Sequence, residues 1–165
     1  MPLITETGAG LADAESYCAV SFADQYHAER GNTAWDGLES TQKEANLRVA
    51  TEYMLTTYRE KWKGTRTTST QALDWPRVEV VVDKFELAGD VVPAEVRKAC
   101  AILALKAIKG ELDPDPTPAV KRTKVDVLEK EYFEPSAKAR PHKAVDDLLQ
   151  PFLAGMSMNV RLVRA

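Results

Sequence analysis

The chain has 165 residues and a mass of 18.3 kDa, the size of one ordinary domain, since domains fall near ~100–200 residues. Hydrophobic residues make up 44% and charged residues 28%, a soluble globular balance that excludes global disorder, collagen-like repeats and a disulfide scaffold. Lys plus Arg number 22 against 25 Asp plus Glu, a formal net charge of −3, so no overall field favours a polyanion and any basic patch must be local.

The first fifteen residues are rich in Gly, Thr and small side chains and carry no sustained period. They read as an extended N-terminal arm that needs a surface to lie on. Ser21, followed three residues later by Asp24, predicts a helix start. Phe22, Tyr26 and Arg30 then share one face at i+4 steps, and Gly31-Asn32 supplies the left-handed stop. Trp35 is left to plug the corner before the next helix. Ser40 or Thr41 caps that second helix, with Glu44 reaching back, and Leu47, Ala50, Met54 and Tyr58 trace its buried stripe. It ends near Trp62, where Lys63-Gly64 breaks the period. Residues 65–71, nearly all Thr, Ser, Arg or Gln, predict a solvated, mobile contact loop.

Trp75-Pro76 holds Trp75 extended, because the proline ring disfavours helical backbone at the residue before it. Val78, Val80, Val81 and Val82, then Asp83-Lys84, then Phe85-Glu86-Leu87 predict a β-hairpin at about residues 78–87. Two strands alone are marginal in water, so the hairpin must pack on helices or on another subunit. Pro93 opens a third helix, running to Lys109, that is apolar nearly all round and therefore the hub of the core. Ala99, Ala101, Ala104 and Ala107 let its neighbours approach closely. Pro114, Pro116 and Pro118 make a semi-extended spacer. Beyond it come a basic run at Lys121, Arg122 and Lys124, a strand up to Phe133 stopped by Pro135, and short helical turns from Val145 to Leu153. Met156, Met158, Val160 and Leu162 alternate with polar residues and predict a terminal strand that pairs with another chain.

Catalytic and metal motifs are few and weak. His27-Ala28-Glu29 has the H-x-E letters of a zinc deaminase, but the P-C-x-x-C partner is missing, so a His and a Glu on an ordinary helix is the better reading. His142 has no Ser or Cys in a nucleophile-elbow setting to activate and reads as a helix-start or surface residue. Asp113/Asp115 lack the glycine and terminal Glu of a calcium loop, and Asp146-Asp147 read as helix-start charges. Cys18 and Cys100 lie far apart in sequence with no C-x-x-C, which implies neither zinc nor a disulfide framework. No phosphate-binding glycine motif occurs. Enzyme is the weakest class, and no cofactor is expected. The N-terminus lacks a leader pattern and no stretch approaches a membrane span, so the expected setting is a reducing cytoplasm or a particle assembled there, with no membrane partner.

One constellation carries a nucleic-acid alternative. Tyr58, Arg59, Lys61, Trp62, Lys63 and Arg66 place two aromatics among four positive charges, the ingredients of a single-strand stacking platform. Against it, Tyr58 and Trp62 are i, i+4 on a helix and would both face the core, leaving an ordinary solvated basic surface. Acidic protein surfaces are the better partner for the basic run near Lys121.

The ordered set Ser16-Tyr17, Tyr26 to Gly31, Trp35, the Lys43–Tyr58 helix, Trp62-Lys63-Gly64, Gln71 to Arg77 and Val92-Pro93 to Gly110 resembles the head–tail connector (adaptor) proteins of tailed bacteriophages. The likeness covers about residues 16–134, and Gln71 to Arg77 with Trp62-Lys63-Gly64 is its most specific part. Similar sequences also carry the label of DnaT-like single-stranded-DNA-binding proteins. The resemblance implies a mainly α fold: a small helical bundle with a β-hairpin insertion and extended N- and C-terminal segments. It divides the chain into an arm (1–15), a helical connector domain (16–134) and a C-terminal tail (135–165). It further implies a homo-oligomeric ring of about twelve copies, closed by head-to-tail contacts. The ring would sit under the portal at the virion neck, contact the next neck, stopper or tail protein, and pass genomic DNA without sequence-specific binding. On this reading Met156, Met158, Val160, Arg161, Leu162 and Arg164 dock on the portal. Trp75, Pro76, Arg77, Val80, Val82 and Phe85 lie at the subunit boundary.

Overall fold

A computed structural model describes residues 1–113 and 142–155. The proline spacer from Pro114, the basic run, the strand expected up to Phe133 and the terminal strand Met156–Ala165 lie outside the described residues. The fold is mainly helical with two small antiparallel two-stranded sheets. Helices α1 (Val20–Ala28), α2 (Thr33–Asp36), α3 (Ser40–Tyr58), α4 (Ala94–Ala107) and α5 (Lys143–Leu149) surround one core.

Helix α4 is the hub expected from its composition. It contacts α1, α3 and α5 and buries Val96, Ala99, Cys100, Ala101, Leu103 and Ala104. Its small side chains bring α3 close, and α3 answers with Leu47, Ala50, Thr51, Met54 and Tyr58, the predicted stripe plus one threonine. Thr51 fits because its hydroxyl donates to the Leu47 carbonyl at 2.9 Å, which removes the penalty of a buried donor.

The helix starts differ from expectation in detail. Ala19 is the N-cap of α1, in extended backbone, and Ser21 falls inside the first turn. Helix α3 is capped at Glu39, whose backbone N–H donates to the Gln42 side chain at 3.0 Å. The capping-box logic therefore applies one residue earlier than Ser40 or Thr41 and with Gln42 in place of Glu44. Pro93 is the N-cap of α4 rather than its first helical residue. Trp35 lies in α2, not in a loop, and fills the α1–α3 corner fully buried, with its indole N–H on the Asp24 carboxylate at 2.7 Å.

The N-terminal arm lies on its own chain. The Ile4 carbonyl accepts from the N–H groups of Glu15 and Ser16, and Glu6 N–H donates to Ser16 at 2.9 Å. The buried Glu6 carboxylate accepts from the backbone of Gly8, Gly10 and Leu11 at 2.8–3.0 Å. Leu11 in turn accepts from Ala72 at 2.8 Å. Gly8 has φ +108°, and a Cβ there would stand 1.8 Å from the Asp90 carbonyl oxygen, so the arm closes onto the segment before α4 at a spot only glycine allows.

The contact loop is a correction. Thr65–Arg66 form strand β1, paired antiparallel with β2 (Arg77–Val78). Gln71 between them is buried, its amide donating to Leu73 and Pro76 carbonyls and accepting from Thr68 N–H. A polar composition looked mobile; the side chains are instead the internal ties of a closed loop. The predicted hairpin forms from β3 (Val81–Val82) and β4 (Phe85–Glu86) around a two-residue turn in which Asp83 and Lys84 both have positive φ. Val78 leaves it for the other sheet.

Candidate functional site

The residues that carry the resemblance converge in space. Trp62 makes an antiparallel bridge to Leu153, Lys63 N–H donates to Phe152, and Ala154 N–H donates to Lys61. The segment after α3 thereby clamps the turn after α5. Arg77 closes this knot: its guanidinium donates to the carbonyls of Lys63 (2.7 Å), Gly64 (2.6 Å) and Asp74 (3.2 Å). Trp75 packs edge-on against Trp62 and Phe152, with ring centroids 5.6 and 5.9 Å away. Tyr58 continues the aromatic chain and donates its hydroxyl to Asp146 at 2.6 Å, tying α3 to α5. Burial, then the Asp146 carboxylate, pushes this phenol well above its ordinary range.

These contacts decide the predicted sites. Tyr58 and Trp62 are buried, at 1% and 5% exposure, so they offer no face to a nucleobase. Of the basic residues around them, Arg59 and Lys61 are exposed, Lys63 caps the Val81 and Pro151 carbonyls, and Arg66 donates to Ser69 and Gln71. The stacking platform proposed for Tyr58 to Arg66 does not exist as a surface, because the i, i+4 aromatics face inward. The boundary set is likewise divided. Trp75, Pro76, Arg77 and Val80 are buried in the chain's own core and Val82 is half-buried, whereas Phe85 is 76% exposed. Only the hairpin end is available to a neighbour. Met156, Met158, Val160, Arg161, Leu162 and Arg164 lie outside the described residues.

Asp74 sits inside the knot with neither carboxylate oxygen in a hydrogen bond among the described residues, and Arg59 is the nearest cation at 3.9 Å. Burial raises its pKa, with Arg59 and Arg77 opposing. His27 is fully satisfied: Nε2–H donates to the Ala101 carbonyl at 3.0 Å, so Nδ1 accepts from the Asn32 amide at 3.1 Å. Burial lowers its pKa, and Glu29 is exposed on another face. His142 is bonded to Leu112 and Lys106 and begins α5. Neither histidine is placed as a general base or a ligand, and no group of three His, Cys, Asp or Glu fit for a metal occurs among the described residues. Among the described residues, no helix is long and apolar enough to cross a membrane.

Cys18 and Cys100, distant in sequence, meet in the core as free thiols, and Cys100 lies 3.5 Å from the Thr51 hydroxyl. Contact with Cys100 and burial push the Cys18 thiol up.

A second surface is built on α1. Arg30 lies 3.7 Å over the Tyr26 ring, Tyr26 is stacked with Phe22 (6.4 Å, 18°), and Arg97 from α4 lies 5.1 Å over Phe22. Two guanidiniums and two aromatic rings thus alternate along one partly exposed face. The face leads into a cleft of about 340 Å³ lined by Thr5, Thr7, Tyr17, Phe22, Val91 and Arg97 among others. The Arg97 Nε atom is buried there with no partner among the described residues. The i+4 spacing of Phe22, Tyr26 and Arg30 was legible in sequence; Arg97 had no signal, since it arrives from another helix.

Over residues 1–165 the chain matches the family model described as "Putative DnaT-like ssDNA binding protein". The chain belongs to this family. No curated protein and no solved structure matches it. The family's description points to single-stranded DNA, the alternative drawn from sequence, while the residues first chosen for that role are buried.

Proposed function

We propose that this member of the DnaT-like family is a structural assembly subunit of the head–tail connector type, forming a ring beneath a phage portal. The observation that carries this reading is the hairpin β3–β4. Phe85 at its end and Val81 on its flank are exposed apolar side chains, at 76% and 50%, on a two-stranded sheet whose other face is anchored through buried Val80. An exposed aromatic on a short, rigidly mounted hairpin is what a subunit contact needs. The distinctive residues from Trp62 to Gly64 and Gln71 to Arg77 serve the body that mounts it. The docked arm removes one of the three elements that asked for a partner, so the hairpin now bears the argument with the terminal segment.

Native mass measurement of the full chain, alone and mixed with its portal protein, tests this. A ring that forms on mixing, and that Phe85→Ser prevents, is the expected result; a monomer indifferent to portal overturns it. Removing residues 156–165 separates the portal contact from folding, because Leu153 and Ala154 still make their bonds to Trp62 and Lys61.

A second reading, single-stranded DNA binding, is favoured by the family description and by the arginine–aromatic face of α1. It predicts binding to a labelled oligonucleotide at low salt that weakens steeply as salt rises.

A further inference from the structure

We infer that the α1 face and the cleft beside it form a single-stranded nucleic-acid site in which Arg30 and Tyr26 stack bases and Arg97 receives a phosphate. This rests on the second reading above and moves it away from Tyr58 and Trp62.

Three observations carry it. First, the outer plane of a guanidinium held 3.7 Å over a tyrosine is a flat, cationic surface of the kind on which unstacked bases lie. Arg30 is fixed there by donating to the Tyr26 carbonyl at 3.0 Å. Second, the platform is backed by the core. Tyr26 meets His27 edge-on at 5.3 Å, and His27 meets buried Trp35 at 4.9 Å. Stacking groups held this way lose little freedom on binding. Third, Arg97 keeps its Nε–H without a partner beside the threonines of the cleft. An anion placed there would satisfy a donor that the protein leaves unpaired.

The acidic groups nearby do not cancel this charge equally. Glu6 is taken up by three backbone N–H groups, Asp24 by Trp35 and Lys43, and Glu29 by Arg30 and Gln25. Asp90, at the cleft, is the one that opposes an anion. A cleft of about 340 Å³ is at the small end of ligand sites (~300–1,000 Å³), which suits one nucleotide unit of a strand. A duplex hides its base faces, so the platform selects single strands.

The test titrates the full chain into fluorescently labelled oligodeoxythymidine and oligouridine of about 15 nucleotides at low salt, read by anisotropy. Arg30→Gln, Tyr26→Leu and Arg97→Gln are each expected to weaken binding by about tenfold. The Arg59→Gln/Lys61→Gln variant, on the other side of the basic patch, should bind as the wild type does. Arg30 is exposed, so its variant reports on the site without threatening the fold. If the chain binds but the three variants bind equally well, or the Arg59/Lys61 variant alone fails, this site is wrong and the reading stands. If neither strand binds at low salt, both fall. Comparison of the two oligonucleotides tells DNA from RNA.

Discussion

Arg77 and Arg97 are both shielded arginines beside large aromatic side chains, yet they are used in opposite ways. Arg77 directs its donors at three backbone carbonyls, all within 3.2 Å, and so holds the segment after α3 against the loop before β2. Arg97 covers the Phe22 ring and leaves its Nε–H unpaired at a cleft. A guanidinium with all directions filled is a structural bolt, while one with an open direction is available to a ligand. The most distinctive stretch of this sequence therefore belongs to the body of the protein, and its exposed chemistry lies elsewhere.

The contrast can be broken first at the knot. Trp75→Ala removes a fully buried indole between Trp62 and Phe152 and should cost about 3–5 kcal/mol in chemical denaturation; a near-neutral result would mean the knot is not the centre of stability. Gly64→Ala comes next. At φ +64° its Cβ would stand 2.1 Å from the Val78 carbonyl oxygen, so a loss of about 2 kcal/mol or more is expected in the same measurement. Tyr58→Phe deletes the bond to Asp146 that joins α3 to α5 and should cost about 1–2 kcal/mol.

A pH series sharpens the same division. Burial depresses the folded pKa of His27 below its ordinary 6.5, so the unfolded chain binds the proton first and stability is lost as pH falls from about 6.5 towards the folded value. Asp74 has the opposite sign. Its raised folded pKa means its contribution is complete below the ordinary 3.8 and is lost as pH rises through the folded value. The midpoint of His27→Gln should accordingly depend less on pH below 6.5 than that of the wild type, and Asp74→Asn should lose the decline on the rising side. The smallest effect on stability is expected at the hairpin: Phe85→Ser should change unfolding by less than about 0.5 kcal/mol while abolishing self-association, read by sedimentation. If it destabilises like a core residue, the hairpin end is not a free surface.

Reading these residues in sequence succeeded where neighbours along the chain decide the outcome. The stripe from Leu47 to Tyr58, the apolar α4 and the β-branched run broken by Asp83-Lys84 all became the elements expected of them. The i, i+4 spacing of Tyr58 and Trp62 also placed both aromatics in the core, against their use as a stacking platform. It failed where a polar side chain bonds to backbone. Glu6, Gln71 and Arg77 look solvated by letter, but their partners are carbonyls and N–H groups brought from other segments. The arm and the loop at residues 65–71 were misread for that one reason.

By itself, then, the amino-acid order determined the helical class, the hairpin and the inward turn of the α3 aromatics, because each follows from a period of two or 3.6 residues. Only the tertiary structure decided which charges are engaged and which are open, that the two thiols meet, and that Arg97 from α4 completes a face begun on α1. Those outcomes depend on groups far apart in the chain meeting in space, and backbone hydrogen-bonding capacity is the same at almost every residue, so no side-chain pattern announces it.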